Sequence, residues 1–582
     1  MDIYTNSEIL ESFIQEKLEQ KKRDLESAAG LASPPKKHFH QPIEYPFTRE
    51  QRDTTTILFG GLTWKHEHLL KGALSGLGYK CEILPTTDLE SYEIGKEYQN
   101  NGYCNPSYFT IGNLVKYLQG LEAGGKGRQE IIDNFVFLTA RGCGACRFGL
   151  YESEYRLALS NAGFDGFRVM TLSVSDGLDQ TEVGVQPGLE MNLDFFLVLI
   201  TAMIIGDILN QIAFQIRPYE VERGRTDQVM QEVINDIYNV FRNRERFESP
   251  TVWKRLALAR ELKGQTTTIA KYLHHLTNPY FVRALNRAQD KFSEIEMDRF
   301  RVRPIVKIVG EFWSAFAEGE GNFNMFSFLE GEGAEVHVDH IVGTQIMRIL
   351  HYFKQSLREK NGLHEWREMP PLWRLDKWLA RQIRHQKKVG VLTLAERLYR
   401  RETTRFQQAV GSPSHGVCDM YELEQLALPF YNWRCGAGET HLEVAKNIYY
   451  HMKDLCHMVL SLKPFGCMPS TQSDGVQALV VELYQDMIFL PIETAGEGEI
   501  LAHSRVQMAF AGAREKAKRE FKTALASTGR SLDKLKAYVD DHPELKRPNY
   551  HVPHQKGVVG KAANFVFHVA DLMNGNSHSG AT

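Results

Sequence analysis

The sequence contains little cysteine, no long uncharged run and no large excess of charge of either sign. Eight cysteines in 582 residues are too few for a disulfide-stabilised scaffold. The net charge is −3, because 69 lysine and arginine residues oppose 72 aspartate and glutamate residues. This balance argues against a general nucleic-acid coat protein, which needs a basic surface. Aromatic residues make up 11% of the chain, enough to build several cores, so a mainly disordered protein is excluded.

The most apolar stretch is too short to cross a bilayer. Residues 195–206 are uncharged, and Asp194 and Asp207 bound them. A membrane-spanning helix needs about 20 apolar residues, so we expect a buried core helix here. The first residues, MDIYTNSEIL, include acids and lack the apolar region of a signal peptide. We therefore expect a cytoplasmic protein that has neither a membrane nor nucleic acid as a partner.

Short β-branched runs alternate with segments of helical periodicity in two blocks of the chain. The predicted strands are TTTILFGG, YKCEILP, NFVFLTA and FRVMTL in the first block, and PIVKIVG, AEVHVDH, HMVLSL and MIFLPIE in the second. Strands that alternate with helices are typical of a parallel sheet covered by helices. The element order recurs, which indicates an internal repeat. The predicted fold class is α/β, with two related doubly wound parallel-sheet domains, helical insertions and a helical C-terminal tail.

These patterns divide the chain into five parts, in which two similar domains are expected to face each other across a cleft. The parts are an N-terminal helix and linker at 1–46, a first α/β domain at 47–215, a helical connection at 216–303, a second α/β domain at 304–512 with a helical insert at 345–427, and a helical tail with a disordered end at 513–582.

Cysteines stand at corresponding turns of the two blocks. Cys143 and Cys146 follow the strand NFVFLTA, Cys467 follows HMVLSL, and Cys104 directly precedes a predicted helix. Because strand-to-helix turns of a parallel sheet share one edge, where ligands bind, we expect these thiols to meet there. Helix N-termini carry partial positive charge, which is expected to lower a thiol's pKa toward the thiolate that binds iron. Cys435 occupies a loosely equivalent place in the second block and is a further candidate.

Two other interpretations of cysteine stay open. A free cysteine is commonly a small buried hydrophobic residue at a tight turn, and we prefer this interpretation for Cys81, Cys418 and Cys456. Zinc is the other metal to consider, but a zinc site usually gathers two close pairs of Cys or His ligands. Only one close pair, in CGAC, occurs here. Metal ligation is the favoured hypothesis for the cysteines at the turns.

The turns with cysteine lie within four long stretches that resemble a known family. These stretches are NNGYCNPSYFTIGNLVKYL, CGACRFGLYESEYRLALSNAGFDGFRV, GEFWSAFAEGEGNFNMFSFLEGEGAEV and HMVLSLKPFGCMPSTQSDGVQALV. They resemble the acyl-CoA dehydratase activase-related proteins of the 2-hydroxyacyl-CoA dehydratase and benzoyl-CoA reductase superfamily. The resemblance covers about residues 47–215 and 300–512.

The resemblance implies a cysteine-ligated iron–sulfur cluster, either four-iron four-sulfur or double-cubane. It implies Cys104, Cys146 and Cys467 as metal ligands, with Cys143 as a close neighbour. Three cysteine ligands leave one iron open for water, hydroxyl or a bridging sulfide. The resemblance also implies an ATP-hydrolysing partner, an actin/Hsp70-like activase that delivers low-potential electrons. From its place beside Cys146 at the sheet edge, Arg147 is a further candidate that offsets the negative charge of a cluster.

ATP is expected only on that partner, because the chain has no phosphate-binding G-x-x-x-x-G-K-[ST] motif. The acidic, glycine-rich EGEGN at 318–322 repels phosphate and is expected to be a turn. The favoured function is an iron–sulfur reductase or dehydratase component of anaerobic metabolism that passes electrons to a substrate. An acyl-CoA substrate and a homodimer are considered, and no catalytic residue is assigned. The alternatives are a non-catalytic partner that carries a cluster or binds an activase, and a zinc-stabilised binding protein.

Overall fold

The computed structural model divides into two units, Met1–Ile43 and Glu44–Thr582. It describes residues 14, 17–22, 24–25, 46–142, 146–173, 177–178, 186–244, 274–275, 277–359, 373–411, 416–435 and 438–575. In the first unit, residues 17–22 and 24–25 are helical, as predicted. Cys143 and the predicted disordered end beyond residue 575 lie outside the described residues.

Within the described residues, the strands form two sheets. The strands are β1 (Thr56–Phe59), β2 (Lys80–Ile83), β3 (Phe135–Ala140), β4 (Arg168–Ser173), β5 (Gly177–Leu178), β6 (Ile305–Gly310), β7 (Glu335–His337), β8 (Met458–Pro464) and β9 (Phe489–Thr494).

Helices surround these sheets and fill the connections between them. The helices are α1 (Trp64–Gly76), α2 (Leu89–Tyr98), α3 (Asn105–Ala123), α4 (Arg128–Asn134), α5 (Tyr151–Asn161), α6 (Leu193–Ile216), α7 (Arg225–Arg242), α8 (Tyr280–Ser293), α9 (Met325–Gly331), α10 (Ile341–Glu359), α11 (Leu375–Ala409), α12 (Met420–Ala427), α13 (Thr440–Met452), α14 (Met468–Leu483), α15 (Glu499–Thr528), α16 (Leu532–Asp540) and α17 (Lys561–Met573).

The two sheets have the same topology. The first has the order β2-β1-β3-β4-β5, and the second has the order β7-β6-β8-β9. Their pairs are parallel, except for the antiparallel pair of β4 with the two-residue β5. The predicted α/β fold class with two parallel-sheet domains is therefore confirmed. The strand order reverses between β1 and β3 in the first sheet and between β6 and β8 in the second. The carboxyl ends of the strands at such a point form a crevice in which ligands bind.

Two features refine the predicted organisation. The insert within the second α/β domain is helical as expected, with α10, α11 and α12, although α10 begins at Ile341 rather than near 345. The predicted boundary at 512 falls inside α15. That helix continues because no stop occurs before Gly529, which ends it in the left-handed conformation with φ +62°.

The apolar helix α6 is the buried core helix that the sequence predicts. Residues Leu193–Tyr219 form the one segment of the described chain that is long and apolar enough to span a membrane by length and composition. However, 78% of its most apolar window is buried inside the protein. Its side chains Ile205, Ile208 and Leu209 lie in the largest hydrophobic cluster.

Carboxylates from one part of the chain cap helices of another. We call β1–β5 with α1–α5 the first lobe, and β6–β9 with α9, α10, α13 and α14 the second lobe. Glu318 of the second lobe accepts a hydrogen bond from Trp64 N (2.8 Å), and Glu320 accepts one from Leu89 N (2.5 Å). Trp64 and Leu89 are the first residues of α1 and α2, so carboxylates of the EGEGN turn cap the N-termini of two helices in the first lobe.

The core helix α6 makes the corresponding contact with the second lobe. The buried carboxylate of Asp207 accepts hydrogen bonds from the backbone N–H groups of Ile341 (2.6 Å), Val342 (3.2 Å) and Gly343 (2.8 Å) at the start of α10. Because a buried carboxylate without partners is costly, these contacts fix the position of the second lobe against α6.

We expect Glu318→Ala to destabilise the protein by about 1–3 kcal/mol, because it removes a charged hydrogen-bond acceptor and leaves buried Lys65 without its partner at 3.3 Å. The control is Glu294→Ala, which breaks an exposed pair with Arg225 at 3.5 Å and should change stability by under about 0.5 kcal/mol. Thermal melting of both variants checks this. Equal shifts in melting temperature would show that the cap does not hold the lobes together.

Candidate metal centre between the two lobes

Three of the predicted ligands take the same structural position. Cys104 is the N-cap residue of α3, Cys467 is the N-cap residue of α14, and Cys146 precedes the 3₁₀ turn Arg147–Leu150. Proline lies within the first two positions of α3 and of α14, where its missing N–H costs nothing. A helix or a 3₁₀ turn therefore starts directly after each cysteine. Each thiol is placed beside unsatisfied backbone N–H groups.

The turn after β8 brings Cys467 against Cys104. Gly466 has φ +77°, a conformation that favours glycine. A Cβ atom added to Gly466 would lie 3.5 Å from the carbonyl oxygen of Tyr103 and 3.8 Å from the Cα atom of Cys104. The same atom would lie 3.6 Å from Nη1 of Arg147, next to Cys146. The turns that carry the three cysteines thus meet where the first lobe contacts the second.

The three thiols share one electrostatic environment. Burial raises the pKa of Cys104 and of Cys467 to about 12, and it also raises the pKa of Cys146. The carboxylate of Glu311 raises all three pKa values further. Cys146 also raises the pKa of Cys104, and Cys104 raises the pKa of Cys467. The thiols are therefore close enough to influence each other, and they are protonated at neutral pH without a metal.

The expectation that helix N-termini lower these pKa values is wrong for the metal-free protein. Loss of hydration disfavours a thiolate, and for Cys104, Cys146 and Cys467 it is the largest cause of the shift. The partial charge at a helix N-terminus is small by comparison with this burial.

Hydroxyl groups orient two of the thiols. Sγ of Cys104 lies 2.8 Å from Oη of Tyr151, and Oγ of Ser470 donates to Sγ of Cys467 at 3.2 Å. Burial raises the pKa of Tyr151 well above its ordinary value, so this hydroxyl stays protonated. Both hydroxyls can stabilise sulfur after a thiol loses its proton.

The other predicted residues have different positions. Arg147 donates to the carbonyl oxygen of Gly102, so it holds the turn that leads to Cys104. Cys435 is exposed and lies beside Tyr431, and the structure does not bring it into the group formed by the three cysteines.

Sequence reasoning missed two glutamates beside the thiols. Glu311 directly follows β6, and burial raises its pKa. Glu439 directly precedes α13, and burial raises its pKa to about 7. The sequence could have identified Glu311, because it directly follows the predicted strand PIVKIVG at the same sheet edge that singled out the cysteines.

A small cleft of about 50 Å³ adjoins this group in the second lobe. Gly310 and Phe312, the two neighbours of Glu311, line it, and so do Glu439, Asp339 and Lys446. Its walls are mainly apolar and carry a few polar groups, as is typical of ligand sites, but its volume suits one small chemical group and not a whole small molecule.

A buried charge network forms the base of the cleft. The carboxylate of Asp339 lies 2.6 Å from Nζ of Lys307 and 2.7 Å from Nζ of Lys446, and Tyr450 donates to it at 2.8 Å. Burial alone would raise the pKa of Asp339, but the two ammonium groups hold it well below its ordinary value. The two ammonium groups neutralise this buried carboxylate, so we assign these residues to the support of the cleft.

Cys104, Cys146 and Cys467 are suitable ligands for a metal that binds thiolate, although their side chains are not close enough together to bind one as they stand. Among the residues that the structure describes, no three Cys, His, Asp or Glu side chains lie close enough to hold a metal ion as they stand. Three cysteines from two lobes nevertheless supply the soft ligands that iron–sulfur clusters and zinc require. Since the ligand is the thiolate, binding a metal here releases protons.

No protein-family model matches the chain, and no curated protein matches it. The family resemblance therefore stays a prediction, and the site stands on its own geometry.

Alkylation of the metal-free protein tests the protonation state of the thiols. With a pKa of about 12, about one thiol in 10⁴ is ionised at pH 8, so iodoacetamide should modify Cys104 and Cys467 about tenfold faster for each unit between pH 8 and pH 10. Mass spectrometry of the peptides measures both rates. A rate that stays flat over this range would show that the thiols are already ionised.

Proposed function

We propose that the protein is an iron–sulfur component of the 2-hydroxyacyl-CoA dehydratase type, in which Cys104, Cys146 and Cys467 hold a cluster between the two lobes. One observation supports this most: the turn at Gly466 packs on Cys104, so cysteines far apart in sequence reach one buried place at the carboxyl ends of parallel strands. The cluster, when bound, supplies low-potential electron transfer.

The residues around the thiols have defined parts in this proposal. Tyr151 and Ser470 hold the sulfur atoms of Cys104 and Cys467 by hydrogen bonds. Arg147 fixes the turn before Cys104 through the carbonyl of Gly102. The helix N-termini oppose the negative charge that the thiolates acquire once they have lost their protons. Burial keeps water away, which protects a reduced centre.

The adjoining cleft is the proposed place for the substrate. Its apolar walls with a few polar groups suit the reacting end of a larger substrate, and an acyl-CoA follows from the family resemblance. Because its pKa is about 7, Glu439 can either donate or accept a proton at the wall of the cleft near neutral pH. The actin/Hsp70-like activase, ATP hydrolysis on that partner and a cytoplasmic location complete the proposal.

Anaerobic purification tests the proposal directly. We expect a brown protein with about 4 iron atoms and matching acid-labile sulfide per chain, or about 8 iron atoms for a double-cubane cluster. Reduction of the cluster only after an activase and ATP are added, followed by oxidation on adding substrate, would separate a reductase from an accessory cluster carrier. A colourless protein with one zinc per chain would contradict the proposal and select a zinc-stabilised binding protein.

Serine substitutions test the ligand assignment. Cys104→Ser and Cys467→Ser should each remove most of the iron. Serine is a poor ligand for the iron of a cluster, and both cysteines are proposed to bind the same cluster. The matched control is Cys81→Ser on β2, whose thiol contacts the carbonyl of Lys71 at 3.6 Å and should leave the iron content unchanged. Iron and sulfide analysis of all three variants decides the matter, and equal iron in each would count against the assignment.

A further inference from the structure

The first four turns of the long helix α11 are exposed. Every buried residue of this 35-residue helix lies between Tyr399 and Ala409, where it contributes to the largest hydrophobic cluster. Just before that part, Glu396 forms an ion pair with Lys354 of α10. No side chain of residues 375–388 is buried. The helix is therefore anchored through its carboxyl-terminal half, and its start presents an exposed surface about 20 Å long.

One side of these four turns is apolar, and we call its residues the apolar row. The row consists of Leu375 (73% exposed), Trp378 (41%), Leu379 (60%) and Ile383 (60%). These positions follow the first by three, four and eight residues, the spacing that places side chains on one face of a helix. Trp373, two residues before α11, is 81% exposed. Large apolar side chains that are gathered on one surface mark an interaction site, whereas scattered single ones do not.

The other side of the same turns is basic, and we call its residues the basic row. The row consists of Lys377, Arg381, Arg384 and Lys388. Because each residue turns a helix by about 100°, this row lies roughly opposite the apolar row. Residues 373–394 contain six lysine and arginine residues and one acidic residue, so their net charge is +5. The acidic residue, Asp376, pairs with Arg374 at 2.7 Å and does not offset the basic row.

An anionic lipid surface is the partner that suits both rows. A helix that lies in the plane of a membrane places its apolar side at the acyl boundary and its lysines and arginines among the headgroup phosphates. Tryptophan is enriched at this boundary, which agrees with Trp373 and Trp378. The groove of a partner protein would cover the apolar row but leave the basic row in water. Charge complementarity together with the apolar row therefore favours a membrane surface.

We propose that residues 373–388 bind the surface of a membrane that contains anionic lipid, with the apolar row inserted and the basic row at the headgroups. The expectation of no membrane partner concerns a segment that crosses the bilayer, whereas binding at the surface requires only an amphipathic helix. The proposal does not depend on the proposed function, because α11 contributes no residue to the candidate metal centre.

The test measures how much full-length protein sediments with vesicles of pure phosphatidylcholine and with vesicles that also contain about 30% phosphatidylglycerol. Two triple variants each remove one row, Trp378→Gln/Leu379→Gln/Ile383→Gln for the apolar row and Lys377→Gln/Arg384→Gln/Lys388→Gln for the basic row.

Each variant has a matched control elsewhere on the surface. The apolar control is Ile500→Gln/Leu501→Gln/Met508→Gln on α15, where the side chains are 87%, 66% and 70% exposed. The basic control is Arg519→Gln/Lys522→Gln/Lys536→Gln on α15 and α16, where all three residues are exposed. Melting temperatures confirm that the variants fold.

We expect wild type and both controls to bind the anionic vesicles, and to bind pure phosphatidylcholine about tenfold more weakly or less, because the basic row then has no charge to meet. Each row variant should lose about tenfold or more in binding to the anionic vesicles, and salt at about 0.5 M should weaken binding of the wild type.

Two results would overturn the proposal. One is a wild type that does not sediment with the anionic vesicles, and the other is an equal loss of binding in the row variants and their controls. In the first case, a wild-type dimer that the apolar-row variant dissociates would assign the surface to a second copy of the chain. Without such a dimer, the groove of an acidic protein is the remaining occupant.

Discussion

The close approach of two backbone turns, one from each lobe, is the constraint on which the candidate centre depends. Gly466 lies against the backbone of Tyr103 and Cys104, and its positive φ is a conformation that favours glycine. Because the turn ends at the N-cap of α14, the contact also determines where Cys467 lies relative to Cys104. The candidate centre therefore depends on how the lobes pack, because its cysteines come from both lobes.

Buried charges explain both why the lobes hold together and why the thiols stay protonated. Carboxylates at helix N-termini, such as Glu318 and Asp207, are stabilised by several N–H groups and fix one part of the chain on another. The thiols also stand at helix N-termini, but burial and the nearby carboxylate of Glu311 outweigh the helix dipole. A metal would reverse this balance, because its charge compensates for thiolate and carboxylate together.

Local sequence patterns predicted the strands, the parallel sheets and the place of Cys104 and Cys467 directly before a helix, because these follow from periodicity and from topology rules. They did not predict the direction of the thiol pKa shifts, since burial depends on packing between residues distant in the chain. EGEGN could be recognised as an acidic turn, yet its role as a cap for α1 and α2 depends on contacts with the other lobe. Glu311 followed the same positional rule as the cysteines, and a rule extended to every polar residue at strand ends would have found it.

The most direct test of the account is anomalous X-ray diffraction at the iron absorption edge from crystals grown without oxygen. The account predicts one iron-containing density peak per chain, in contact with the sulfur atoms of Cys104, Cys146 and Cys467 and located between the two lobes. Iron bound elsewhere, or no anomalous signal while the three sulfur atoms remain protonated and unbridged, would contradict it.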